Sequence, residues 1–227
     1  MNKIILLLCL LLTACSNMNI GIIGGSDGPT SIIVNDKSDD IKRSYDVEKY
    51  FRDNYVNEYK LHIPDINIEN IIIESDRTFI LDDSIENNLE LLVYEYYLNK
   101  TKGDYSKVKS VVAGESLYIA TENEEKQFKD GIYFNKIIID EIELVDKDDL
   151  DGISENNKLR IVNMLNDLEM SEFAIIEVDK TIKLNEKYLS MGPQTGDGEF
   201  TRYYLLGKKD NVYKILEVYW DDFIMAD

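Results

Sequence analysis

Both cysteines of the chain, Cys9 and Cys15, fall within its first fifteen residues. Everything downstream must hold together by burial and hydrogen bonding alone, with no disulfide and no thiol nucleophile. Such a fold needs a sizeable apolar core, and the chain supplies one, rich in Ile and carrying 15 tyrosines over its 227 residues. That length suits one or two domains. Acidic residues outnumber basic ones by 44 to 25, a formal charge of −19. Nucleic acid and anionic lipid surfaces repel such a chain at long range, so both are disfavoured as partners.

Cys9 lies inside an apolar run, Ile4 to Leu12, which follows Met1-Asn2-Lys3 and precedes Thr13-Ala14-Cys15. One positive charge, a short apolar stretch and small residues at a cut site are the parts of a secretory signal. The run is too short to span a bilayer, which takes about twenty residues. Leu12-Thr13-Ala14-Cys15 resembles the lipobox of bacterial lipoproteins. The resemblance implies cleavage before Cys15 and acylation of its thiol, so that membrane lipid, through acylated Cys15, becomes a partner. Two or three acyl chains anchor firmly where one holds only marginally. The expected location is the extracytoplasmic face of a cell membrane.

Directly after the anchor stands Ile20-Gly-Ile-Ile-Gly-Gly-Ser-Asp27-Gly-Pro-Thr30-Ser-Ile-Ile-Val34. This segment resembles a signature of the membrane-embedded beta subunit of sodium-pumping decarboxylases, with Ser26 where that family usually has Ala. In the family the matching aspartate is linked to sodium binding, and its position here is Asp27. A desolvated ion path needs several surrounding helices, and no second membrane span follows, so the resemblance does not carry the pumping function over. Two readings stay open. Gly24, Gly25, Asp27, Gly28, Pro29 and Thr30 form either a contact for a membrane-protein partner or a turn-rich tether.

Residues 1–14 are thus read as signal peptide, 15–45 as a lipid-anchored tether, 46–82 as a small helix-strand segment, and 83–227 as the main domain. Val47, Tyr50, Phe51, Tyr55 and Tyr59 fall near helical spacing, before Pro64 stops the helix. A strand is expected over Ile66 to Ile73. Asp83-Ser84-Ile85-Glu86 has the form of a capping box opening a helix that ends near Asn99. Lys102-Gly103-Asp104-Tyr105 then makes a turn into a short helix that stops near Ala113-Gly114. Strands are expected within Ile132 to Val145 and over Phe173 to Leu184, and a helical insertion over Ser154 to Leu168. A final hairpin is expected from Glu199 to Trp220 across Gly207 to Asn211.

The helix, Gly-Asp-Tyr turn, short helix and following strands resemble the opening of the NTF2-like (nuclear transport factor 2-like) fold. Val212 to Trp220 is similar to the closing strand of small NTF2-like lipoproteins, with Tyr213 in the usual Trp place. The resemblance covers about Asp83 to Asp221. It implies an α+β architecture, a cone in which a curved antiparallel sheet packs on helices, preceded here by the helix-strand segment. The fold also often dimerises through its sheet.

Chemistry is sparse. The sole histidine, His62, lies before Pro64 in a loop and outside the matched region. Paired histidines, cysteine clusters and a G-x-S-x-G elbow are all missing, which argues against zinc and serine hydrolysis. Asp146 to Gly152 only loosely resembles a calcium loop, since Glu155 comes too early for the last ligand position. Asp221-Asp222 reads as a polar stop to the last strand, and Gly192 to Gly198 as a loop able to rim a pocket. Tyr94, Tyr96, Tyr97, Tyr203, Tyr204 and Tyr219 are expected mostly in the core. No catalytic residue, cofactor or metal site is assigned, and the expected role is binding or scaffolding without catalysis.

Overall fold

In the computed structural model, residues 47–56, 61–62, 68–193, 195–220 and 223 are described. The first helix, α1 (Val47–Asn54), is shorter than its apolar spacing predicts. Tyr55 leaves the helix to bridge Phe173, and the Val56 amide donates to the Phe173 carbonyl at 2.8 Å. A sheet partner has outcompeted one more helical turn. The strand expected over Ile66 to Ile73 begins later, as β1 (Ile71–Glu74), with residues 63–67 outside the described set. Its hairpin partner β2 (Arg77–Leu81) follows across Ser75 in a left-handed conformation.

The main helix, α2 (Asn88–Lys102), starts four residues later than the proposed capping box. The box is Asn87 with Glu90: the Asn87 Oδ1 accepts from the Leu89 and Glu90 amides, and Glu90 reaches back to the Asn87 amide. Asp83 instead accepts from the Ile142 amide at 2.9 Å, a contact that pins the chain to the sheet. Gly103, at φ 74°, ends the helix in the left-handed cap that glycine favours. Asp104 caps α3 (Tyr105–Ser110), as the Gly-Asp-Tyr reading expects. A fourth helix, α4 (Glu115–Lys129), was not anticipated, because its face carries mostly polar residues and buries only Leu117 and Thr121.

The rest of the sheet is β3 (Phe134–Leu144), β4 (Glu172–Leu184), β5 (Gly198–Lys209) and β6 (Val212–Tyr219). Helix α5 (Glu155–Asp167) is inserted between β3 and β4, and the short α6 (Glu186–Ser190) between β4 and β5. The six strands lie in sequence order, β1 to β6. Strands β3 to β6 pair antiparallel, as the α+β reading expects, whereas β2 joins β3 in parallel. A parallel pair needs a long crossover, and α2, α3 and α4 provide it. The last hairpin turns on Asp210-Asn211 alone, both at positive φ (52° and 63°), so the strands run further than the multi-residue loop expected. Gly207 lies within β5, where a Cβ would meet Leu216 Cδ1 at 2.6 Å.

Helix α2 crosses β2, β3, β4 and β6 on one face of the sheet. On the other face α1 and α5 pack together, and the Phe51 and Tyr55 rings meet Phe173 edge-on at 5.0 and 5.1 Å. Double coverage explains why Phe173, Ala174, Ile175 and Ile176 are all buried in succession. Beyond them Glu177 and Asp179 lie opposite Glu143 and Glu141.

Candidate functional site

Cys15 and the segment Gly24, Gly25, Asp27, Gly28, Pro29 and Thr30 lie outside the described residues, as do Asp221 and Asp222. His62 is exposed, and its backbone exchanges hydrogen bonds with Asn88 at the start of α2. Within the Asp146 to Gly152 segment Asp149–Gly152 forms a 3-10 turn, Asp146 accepts from the Asp148 amide, and Asp151 pairs with Arg52 at 2.7 Å. Among the described residues no group of three or more potential metal ligands comes together. In the loop after α6, Asp197 accepts from the Leu184 amide at 2.8 Å.

The tyrosines settle the inner face. Tyr96, Tyr97 and Tyr204 form an edge-on trio with centroids 5.6 to 6.0 Å apart, and the Tyr97 and Tyr204 hydroxyls hydrogen-bond to each other. Lys180 from β4 lays its ammonium 5.0 Å from the Tyr97 ring centroid. Beside the trio, Lys100 of α2 and Glu124 of α4 form an almost fully buried ion pair at 2.7 Å. Burial works against the Lys100 charge, but Glu124 and the Tyr96 and Tyr105 hydroxyls hold its pKa well above the ordinary lysine value. Burial also pushes the Tyr96 phenol up to about 12. A lysine locked in its charged form cannot attack a carbonyl, and a phenol raised this far is a poor base.

Arg77 closes this corner. Its Nε donates to the Thr101 carbonyl at 2.6 Å and its guanidinium stacks 4.8 Å from the Phe128 ring centroid. The space left, lined also by Tyr105, Tyr133 and Tyr188, measures about 20 Å³. That is room for about one water molecule. The Thr101 hydroxyl, buried against it, has no hydrogen-bond partner among the described residues.

A second, open concavity of about 820 Å³ lies at the β6 edge, between the start of α4 and the exposed side of α5. Leu159, Met164, Leu168 and Leu216 give it an apolar lining. Gly114 is obligatory here, since a Cβ would come 1.7 Å from the Leu216 carbonyl oxygen. The pairing of β5 with β6 slips by one residue at Leu216. The slip puts Glu217 and Tyr219 on one face, opposite Leu205 and Tyr203. Glu217 is only 2 % exposed, yet it lines the groove. Its nearest cation is Arg160 of α5, at 3.6 Å from Oε2, too far for a hydrogen bond. Burial raises the Glu217 pKa, and Arg160 offsets this only in part. The Tyr219 hydroxyl is buried with no hydrogen-bond partner among the described residues, and the Arg160 guanidinium lies 5.4 Å from its ring centroid.

Neither Lys100–Glu124 nor the Glu217 corner was singled out from sequence. The signal for the second was present: in the run Ile215-Leu216-Glu217-Val218, an acid stands within an apolar strand. Lys100 and Glu124 are separated by two helix ends, and nothing local marks them as partners.

No protein-family model matches this chain, and no curated protein does. Among solved structures, it is similar to the intermembrane space region of the chloroplast protein ARC6, at 13 % identity and a TM-score of 0.38. The match covers 58 % of this chain and 92 % of that one, a likeness too slight to carry fold or function.

Proposed function

We propose that the chain is an extracytoplasmic lipoprotein, held in the membrane by acylated Cys15, whose NTF2-like domain binds a partner without catalysing a reaction. The domain reading is supported by the order of elements: a long helix, two further helices, then antiparallel strands β3 to β6, with α2 packed across the sheet. The functional reading is carried by one observation. In the corner between α2, α4 and the sheet, the space beside the Lys100–Glu124 pair and the tyrosine rings measures only about 20 Å³. Small-molecule sites are typically several hundred Å³.

A second reading is favoured by the decarboxylase-like motif: the protein is an accessory to a membrane complex that it contacts through Gly24 to Thr30. A homodimer through the sheet is compatible with either.

Crosslinking in intact cells, followed by recovery of the tagged chain and mass spectrometry, tests both. Cys15→Ser is expected to abolish acylation and release the chain from the membrane fraction. Recovery of one membrane complex, lost on Asp27→Ala with Gly28→Ala while acylation persists, supports the accessory reading. Turnover of a small molecule by the purified chain overturns the non-catalytic one.

A further inference from the structure

The groove at the β6 edge has a polarity that identifies its occupant. Three carboxylates, from Glu115, Asp167 and Glu217, line it against the single guanidinium of Arg160. The whole chain carries −19, so long-range attraction also favours a cation. Within the groove, the Glu217 carboxyl is the one acid that is nearly wholly buried. Arg160, at 3.6 Å, gives it attraction but no hydrogen bond, and the weak contact from its neighbouring amide, Val218 N, spans 3.4 Å. A buried acceptor left short of donors is costly, and a ligand that brings donors relieves that cost. The rest of the lining joins the apolar Leu159, Met164 and Leu168 to the polar Ser116, Asn156 and Asn163, with Leu159 47 % exposed.

A compact ammonium with three donors suits a carboxyl that is 2 % exposed and already faces the Arg160 guanidinium on one side. We propose that the groove binds a peptide segment bearing a lysine, its ammonium set against Glu217 and its apolar neighbours on Leu159, Met164 and Leu168. This rests on the partner-binding reading above and gives that partner a chemistry. Arg160, 42 % exposed at its side chain, yields its place beside the carboxyl when the ammonium enters.

The test is fluorescence anisotropy of the whole chain with three labelled, end-capped peptides, Leu-Lys-Leu, Leu-Gln-Leu and Leu-Glu-Leu. The lysine peptide is expected to bind at least tenfold more tightly than the other two. Glu217→Gln is expected to remove that preference without lowering the unfolding midpoint, and Arg160→Gln to keep or strengthen it. Equal affinity for the lysine and glutamine peptides, a preference for the glutamate peptide, or an unchanged preference in Glu217→Gln overturns the proposal. So does self-association of the chain that Leu159→Asp abolishes, since a second copy would then fill the groove. Membrane release on Cys15→Ser is read separately, so failure of the groove and failure of the anchored reading are distinguishable.

Discussion

Lys100 and Glu124 illustrate how little the worth of a buried charge can be judged from one partner. Their attraction is strong because both are shielded from water, but each lost its hydration to get there. Removing one partner leaves the other buried and uncompensated. Glu124→Leu is therefore expected to cost about 3–5 kcal/mol, while Lys100→Met with Glu124→Leu is expected to be neutral or stabilising by about 1–4 kcal/mol. Urea unfolding of both variants measures this, and a double variant as weak as the single one would contradict it. Tyr96, Tyr105 and Phe134 around the pair would give the replaced side chains an apolar lining.

At the scale of elements, close approach decides more than propensity. Helix α4 is preceded by its cap residue Gly114, where the chain passes so near β6 that a methyl group has no room. The neighbouring Ala113 amide donates to the Ile215 carbonyl and the Ile215 amide to the Val111 carbonyl, tying the end of α3 to the outer edge of β6. These bonds cover part of an edge that would otherwise be free to pair. Gly114→Ala is expected to cost about 3 kcal/mol by forcing that edge apart. Amide hydrogen exchange should show the loss first at Ile215 and Ala113, and unaltered protection there would contradict the account. On the opposite face, α1 is held by Phe51 and Tyr55 on Phe173 and by the ion pair from Glu48 to the buried Lys158 of α5.

For the molecule as a whole, pH acts mainly through four carboxyls. Burial is the first cause in Glu90, Glu143, Glu177 and Glu217, and it raises all four above the ordinary value; Glu143 and Glu177 also repel each other across the strands. A raised folded-state pKa means the folded chain holds these protons more tightly than the unfolded chain. Stability therefore falls as pH rises from the ordinary glutamate range through the raised values. Glu48, Asp104, Glu125 and Glu169 are lowered instead, first by hydrogen bonds from Lys158, Ser106, Lys109 and Lys209, and their contribution is lost only below the ordinary range. The −19 charge adds self-repulsion at neutral pH. The thermal midpoint is expected to rise as pH is lowered from 7.5 toward 5, and to rise less in Glu217→Gln. A flat or opposite profile by calorimetry would contradict this.

Much of the element order was legible in the sequence, because local chemistry dictates it. Gly103-Asp104 ends one helix and caps the next, Ser154 caps α5, and the apolar run from Phe173 to Ile176 marks a strand covered on both faces. Boundaries shifted where a distant partner competed, as when Phe173 drew Tyr55 out of α1 and the sheet took Asp83 from its expected cap. Helix α4 was missed because its polar surface hides any apolar stripe. The Glu217 corner depends on a one-residue slip between β5 and β6, and a slip reverses which face every later side chain occupies. The expected anchor at Cys15 is a matter of local sequence alone, since a short apolar run and one thiol suffice for it. The filled interior and the open groove were decided only by tertiary structure, because both arise from side chains far apart in the chain whose packing no local pattern encodes.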